Sequence, residues 1–240
     1  MSTEFESRLQ NVCQFYEILD ELVRDVGGKR MLENATGRMD WPERGVYFFF
    51  EPGEVQTTSS SGLRVVRVGT HALKVGSQTT LWNRLRTHRG TLSESRPGGG
   101  NHRGSVFRLH IGTALIQRDN WPDDVASQWA KGSNASKSVR QQEYPLEQAV
   151  SHYIRGMPFL WVAVGDEPGP DSLRGYIERN VIALLSNHNF PENPIDPQSH
   201  TWLGQWAASE QIRRSGLWNV NHVTETCDSD FLHVLRDHVS

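Results

Sequence analysis

RGVYFFFEPGE (residues 44–54) is followed by RVVRVGTHAL (64–73) and then by TLWNRLRTHRG (80–90). The run GVYFFF is dense in aromatic and β-branched side chains and reads as a strand, and LRVVRVG (63–69) reads as a second. The polar run from Glu51 to Gly62 is the loop expected between them, so the pair is predicted to form an antiparallel hairpin. Thr79 or Thr80 can cap a helix running to about Arg89, on which Arg84 and His88, four residues apart, share one face. SESRPGGGNHRGS (93–105) ends that helix with proline and glycine.

Working outward, Phe5, Leu9, Val12, Tyr16, Leu19 and Val23 recur at steps of four and three, the stripe of a helix over residues 4–26 that Gly27 and Gly28 stop. VFRLHIGTAL (106–115) reads as a strand, and helical material is expected around WPDDVASQWA (121–130) and PLEQAVSHYIRG (145–156). FLWVAV (159–164) is a compact buried strand. DSLRGYIERNVIALL (171–185) has helical periodicity, with Leu173, Ile177, Val181 and Leu184 on one face and Asp171 or Ser172 as cap. Trp202, Trp206 and Trp218 suggest a tail packed over the core, because indoles bury large areas.

The chain has 240 residues, enough for one elaborated domain with a sizeable core. No run approaches the length of a membrane span, and MSTEFESRLQ lacks the pattern of a secretory leader, so a cytoplasmic protein with no membrane partner is expected. Cys13 and Cys227, at opposite ends, form no metal-ligand pair. The net charge of −3 argues against a high-affinity DNA coat protein and requires any nucleic-acid site to be local. Residues 84–108 allow one, with Arg84, Arg86, Arg89, Arg96, Arg103 and Arg108 against Glu94 alone.

A strand with G-V-Y, a strand ending in R-V-G, a helix with L-x-x-R-L-x-x-H, a later strand and a helix bearing a glutamate together resemble the GIY-YIG nuclease family. The matching residues are Gly45, Val46, Tyr47, Val68, Gly69, Leu81, Arg84, Leu85, His88 and Glu178. The resemblance implies an α+β fold, a small three-stranded antiparallel sheet sandwiched by helices, with extra N- and C-terminal helices. It divides the chain into a helical extension (1–43), a nuclease core (44–195) with a long insertion at about 91–157, and a C-terminal extension (196–240). Arg67 stands where family members usually have tyrosine.

Phosphodiester hydrolysis needs an activated water, neutralisation of charge on the phosphoryl oxygens and help for the leaving oxygen. The resemblance makes Glu178 the ligand of a divalent metal, Mg2+ or Mn2+, and Tyr47 the residue that positions or deprotonates the water. Strand alternation places Tyr47 opposite Val46 and Phe48. Arg84 suits charge stabilisation, because a guanidinium is always charged and grips phosphate bidentately. His88 can donate to phosphate or accept a proton, and His71, two residues past Gly69, can take over proton transfer where the second tyrosine is missing. Arg67, Arg86, His102 and Arg103 are candidate substrate contacts, as is Asn193, with Asn187 and Asn189 as competitors for the family's asparagine. The implied activity is a metal-dependent DNA endonuclease. The alternative is a degenerate, non-catalytic module that binds nucleic acid or a protein partner, and homo-oligomerisation stays open. No G-x-x-x-x-G-K-[ST], H-E-x-x-H or G-x-S-x-G occurs, which leaves ATP-driven, zinc-protease and esterase chemistry unsupported.

Overall fold

The structure is a computed structural model that describes residues 3–58, 62–93 and 97–239; Glu94 and Arg96 of the basic stretch lie outside them. Its sheet has strands β1 (Arg30–Met31), β2 (Gly45–Val55), β3 (Leu63–Gly69) and β4 (Pro158–Ala163) in the order β1-β4-β2-β3. All pairs are antiparallel. The three expected strands are thus joined by a two-residue edge strand. Glu51 to Val55 continue β2 and are not loop, because a register shift beyond Phe49 lets the ladder resume at Phe50 and Val55.

Why GVYFFF is apolar without a break follows from the layers on both sides. Val46, Phe48 and Phe50 point to one face, under α1 (Thr3–Asp25), α7 (Leu173–Leu185) and α9 (Phe231–Arg236). Tyr47 and Phe49 point to the other, under α2 (Leu81–Arg89), α3 (Val106–Asp119) and α6 (Tyr144–Arg155). Each of these phenylalanines is at most 1% exposed, and burial of one such side chain stabilises by about 1.5–3 kcal/mol. In α1 the buried stripe centres on Val12, Phe15, Tyr16, Ile18, Leu19 and Leu22, with Phe5, Leu9 and Val23 at its margin. In α7, Ile177, Val181 and Leu184 are buried as expected, whereas Leu173 in the first turn is exposed.

VFRLHIGTAL is a helix and not the strand its alternation suggests. Phe107, Ile111, Ala114 and Leu115 form one buried face, Ser105 caps the start by accepting the Arg108 N–H, and left-handed Asn120 ends it. Gly112 admits the Trp129 ring, which a Cβ there would meet at 2.1 Å. Between α3 and α6 lie the short helices α4 (Asp123–Ala126) and α5 (Lys137–Gln142).

The C-terminal segment covers the outer edge of β3 after α8 (Glu210–Ser215). Trp218 N–H donates to the Val66 carbonyl at 2.7 Å, and the Asn219 side-chain amide accepts from Val68 N–H and donates to Val68 carbonyl. An otherwise open strand edge is thereby closed. Glu51, buried, accepts from the indole N–H groups of Trp202 (3.0 Å) and Trp218 (3.2 Å) and from the Tyr153 hydroxyl. Trp202 and Trp218 are buried as expected, and Trp206 is half exposed. Among the described residues no helix is long and apolar enough to cross a membrane.

Candidate active site

The start of β2 and the end of β3 meet where Tyr47 pairs with Gly69. Just beyond, the Thr70 hydroxyl donates to the Gly45 carbonyl at 2.8 Å, and this tie fixes the two strand ends. Helices from both layers reach the same place. On one side Thr80 caps α2 through the Asn83 N–H, and Leu81 and Leu85 bury its inner face. On the other, Ser172 caps α7, and buried Ile177 and Val181 carry Glu178 to the sheet end.

Tyr47 is fully buried, with its hydroxyl oxygen 2.9 Å from His88 Nε2. The other ring nitrogen, Nδ1, lies 2.8 Å from Ser105 Oγ. Burial, aided by Arg84, Arg67 and Arg108, pushes His88 well below the ordinary histidine range, so its ring is neutral. Arg67, across from Phe49, is buried with its guanidinium over the Phe107 ring and one N–H donated to the Trp218 carbonyl at 2.5 Å. It also interacts with the Tyr47 hydroxyl.

Arg84 is half-buried, its Nε is sealed from water, and among the described residues its guanidinium has no hydrogen bond or ion pair. Its charge is felt at Arg67, His71, His88 and Glu178. Glu178 accepts the Thr70 N–H on Oε1 at 3.2 Å, which leaves Oε2 for another partner. Desolvation raises its carboxyl above the ordinary range, opposed by Arg67, His222, the Thr70 N–H and Arg84. The same carboxylate lines a cleft of about 600 Å³ with Leu73, Leu173, Tyr176, Arg179 and His222. His71 is buried, its Nε2 3.3 Å from the Glu43 carbonyl and its Nδ1 without a partner. Burial brings it down to about 4, helped by Arg174, Arg84 and Arg44 and opposed by the Glu43 contact.

The other predicted contacts are placed differently. Arg103 is ion-paired to Glu143 at 2.7 Å, and buried His102 bonds Glu147 at 3.0 Å while stacking on Trp129. Both are committed to the helices behind His88. Arg86 is exposed on α2. Asn193 is exposed in the loop after α7, held through its backbone N–H by the Phe190 carbonyl. Its competitors Asn187 and Asn189 are bonded to Arg8 and Ile195 and to Thr224.

Several neighbours escape the sequence reading. Ser105, His222 beside Glu178, and His110 on α3, whose Nε2 is buried without a partner, are among them. Burial and Arg67 bring His110 down to about 4. Ser105 was findable as an N-cap only with 106–119 taken as a helix. Among the described residues no three His, Cys, Asp or Glu side chains gather to hold a metal. One carboxylate with a free oxygen beside an open cleft nevertheless fits a magnesium-type shell completed by water and substrate oxygens.

A tyrosine strand, a glycine-ended partner, an arginine helix and a glutamate helix thus meet at one end of the sheet of a small α+β module. The family model described as GIY-YIG domain matches residues 6–240, nearly the whole chain, and the chain belongs to that family. Neither the curated proteins nor the solved structures give a match.

Proposed function

We propose that the chain is a metal-dependent endonuclease that hydrolyses phosphodiester bonds in DNA. What carries this reading is Arg84: a cation held half-buried without a counter-ion, whose field reaches Glu178 and His71, is poised for an anion from outside. A phosphodiester provides one. Glu178 would hold the divalent cation, Mg2+ or Mn2+, through its free oxygen; when bound, the ion supplies charge neutralisation at the phosphate. Arg84 binds the phosphoryl oxygens and stabilises the charge that grows there. Tyr47 orients the attacking water and takes its proton while handing its own phenolic proton to a phosphate oxygen, as the water oxygen bonds to phosphorus and the bond to the leaving oxygen breaks. The leaving oxygen then takes a proton from solvent.

A second reading has its own observation. Arg67, in the place of the family's second tyrosine, is tied to the Trp218 carbonyl, as a structural group would be in a module that only binds. Purified protein incubated with plasmid, branched and single-stranded DNA decides between them. Cleavage that requires Mg2+ or Mn2+ and stops with EDTA supports the nuclease. Binding to DNA with every substrate intact supports the module, and metal-independent cutting counts against the Glu178 role.

A further inference from the structure

β1 pairs with β4 only at Pro158 and Phe159, and among the described residues no strand covers the outer edge of β4 beyond them. The phase of the ladder shows which groups lie on that edge. Val164 N–H donates to the Arg44 carbonyl, so by the alternation of an antiparallel pair Leu160, Val162 and Val164 bond β2, while Trp161 and Ala163 turn their N–H and C=O groups outward. Among the described residues neither has a backbone partner on that side. Residues 160–163 read LWVA and carry no charge or proline to blunt the edge.

Trp161 and Ala163 line a cleft of about 360 Å³ with two apolar walls. Trp41 and Trp161, their rings 4.8 Å apart, belong to the layer under α2, whereas Leu22, Val26 and Val239 belong to the layer under α1. A strand added at this edge would turn alternate side chains to the two walls. Each wall carries one exposed aspartate: Asp40 beside Trp41, and Asp25, the last residue of α1, where the helix dipole opposes a carboxylate. Among the described residues neither aspartate has an ion-pair partner, and no lysine or arginine lines the cleft. His238, also there, is committed through Nδ1 to the Val234 carbonyl at 3.0 Å.

We propose that this edge of β4 takes up an extended basic segment of a partner protein as an added strand. The outward N–H and C=O groups of Trp161 and Ala163 supply the main-chain hydrogen bonds, and the two walls receive alternate side chains. Lysine or arginine side chains lay their stems along the indoles and end at Asp25 and Asp40. A polynucleotide does not suit the cleft, because both rim charges are negative. Nor does a second copy of the chain joined edge to edge about a two-fold axis, which would bring the same two aspartates against themselves.

The test is calorimetric titration and nitrogen-15 NMR of the full chain with three probes: a hexapeptide of alternating lysine and valine, its glutamate–valine counterpart, and the lysine–valine peptide with every amide N-methylated. Saturable binding of the first is expected to shift the Trp161 and Ala163 amides and slow their hydrogen exchange, with the other two weaker by roughly tenfold or more. Asp25→Asn and Asp40→Asn, both at exposed positions, should together weaken binding roughly three- to tenfold and leave the melting temperature unchanged. No binding of the lysine–valine peptide overturns the proposal, as does binding that leaves those two amides unshifted. Equal binding of the acidic or the N-methylated peptide, or no weakening in the double variant, overturns it as well. Displacement of the peptide by duplex DNA, or a dimer in sedimentation whose contacts shift the same amides, gives the edge to another occupant and overturns it too. None of these readouts uses cleavage, so each decides the matter whether or not the chain is a nuclease.

Discussion

Tyr47 and Gly69 face each other across the β2–β3 ladder, and a Cβ added to Gly69 would lie 2.2 Å from the Tyr47 hydroxyl oxygen. The glycine is therefore required by the hydroxyl. Replacing it with alanine must push the phenol away from His88 or open the strand pair. Gly69→Ala is expected to abolish cleavage and to lower stability by about 1–3 kcal/mol, the usual penalty for overpacking. Thermal melting and plasmid nicking check this together. Full activity in that variant would mean that the Tyr47–His88 contact is dispensable.

Removal of Arg84 should separate chemistry from folding. An unpartnered, half-buried guanidinium contributes little to the native state, so Arg84→Ala should melt within a few degrees of wild type. Cleavage should fall by roughly two orders of magnitude or more, the scale of a lost transition-state contact. Glu178→Gln, which keeps an oxygen to accept the Thr70 N–H, should behave likewise. A large drop in melting temperature for Arg84→Ala would show that the side chain is structural.

Arg103 is predicted to behave in the opposite way. Its ion pair with Glu143 is nearly solvent-free, with both side chains at most 4% exposed, and deleting one partner leaves the other charged and buried. Arg103→Ala should lower the melting temperature by about 5 °C. Affinity for DNA, read by gel shift, should stay unchanged. A binding loss without a stability loss would restore Arg103 as a phosphate contact.

How far the fold was legible depends on where the deciding partners lie. GVYFFF, LRVVRVG and FLWVAV declare themselves by composition, and the caps of α2 and α7 by their chemistry to within one residue, Thr79 or Thr80 and Asp171 or Ser172, all of it local; the structure selects Thr80 and Ser172. The helix from Val106 to Asp119 does not, because V-F-R-L-H-I satisfies a period of two over its first turns. Only the spacing of Phe107, Ile111 and Leu115 against Trp129 and α6 selects the helix. The same ambiguity hid Ser105. Arg67 looked free to meet phosphate because its acceptor, the Trp218 carbonyl, is 151 residues away. His102 and Arg103 looked free in a glycine-rich loop for the same reason, with Glu147 and Glu143 supplied by a distant segment.

Acid should weaken the fold. His71 and His110, each brought down to about 4, are neutral in the native state but take up protons near pH 6.5 once unfolded. Between those values the unfolded chain binds more protons, so stability rises with pH from about 4 to 6.5 and is then level for these groups. The melting temperature should drop between pH 6.5 and pH 4.5, less so in His110→Gln. A slope unchanged in that variant would mean His110 titrates normally.

The pH dependence of cleavage separates the histidines from the other groups at the site. As an isolated residue His71 would give a rate that climbs through about pH 6 to 7. Its surroundings move that inflection away: the Nε2–H donates to the Glu43 carbonyl, Nδ1 keeps its lone pair, and the ring is unprotonated above about 4. His88 is held lower still. Neither ring changes charge between pH 5 and 8, so the single-turnover rate should show no histidine inflection there. If His71 accepts the water proton in place of Tyr47, His71→Ala should reduce the rate by the same factor at every pH in that range. If it does not, the variant should leave both rate and profile unaltered, and Tyr47→Phe alone should abolish cleavage. A wild-type rise through pH 6 to 7 that disappears in His71→Ala would show that bound DNA returns this histidine to its ordinary range.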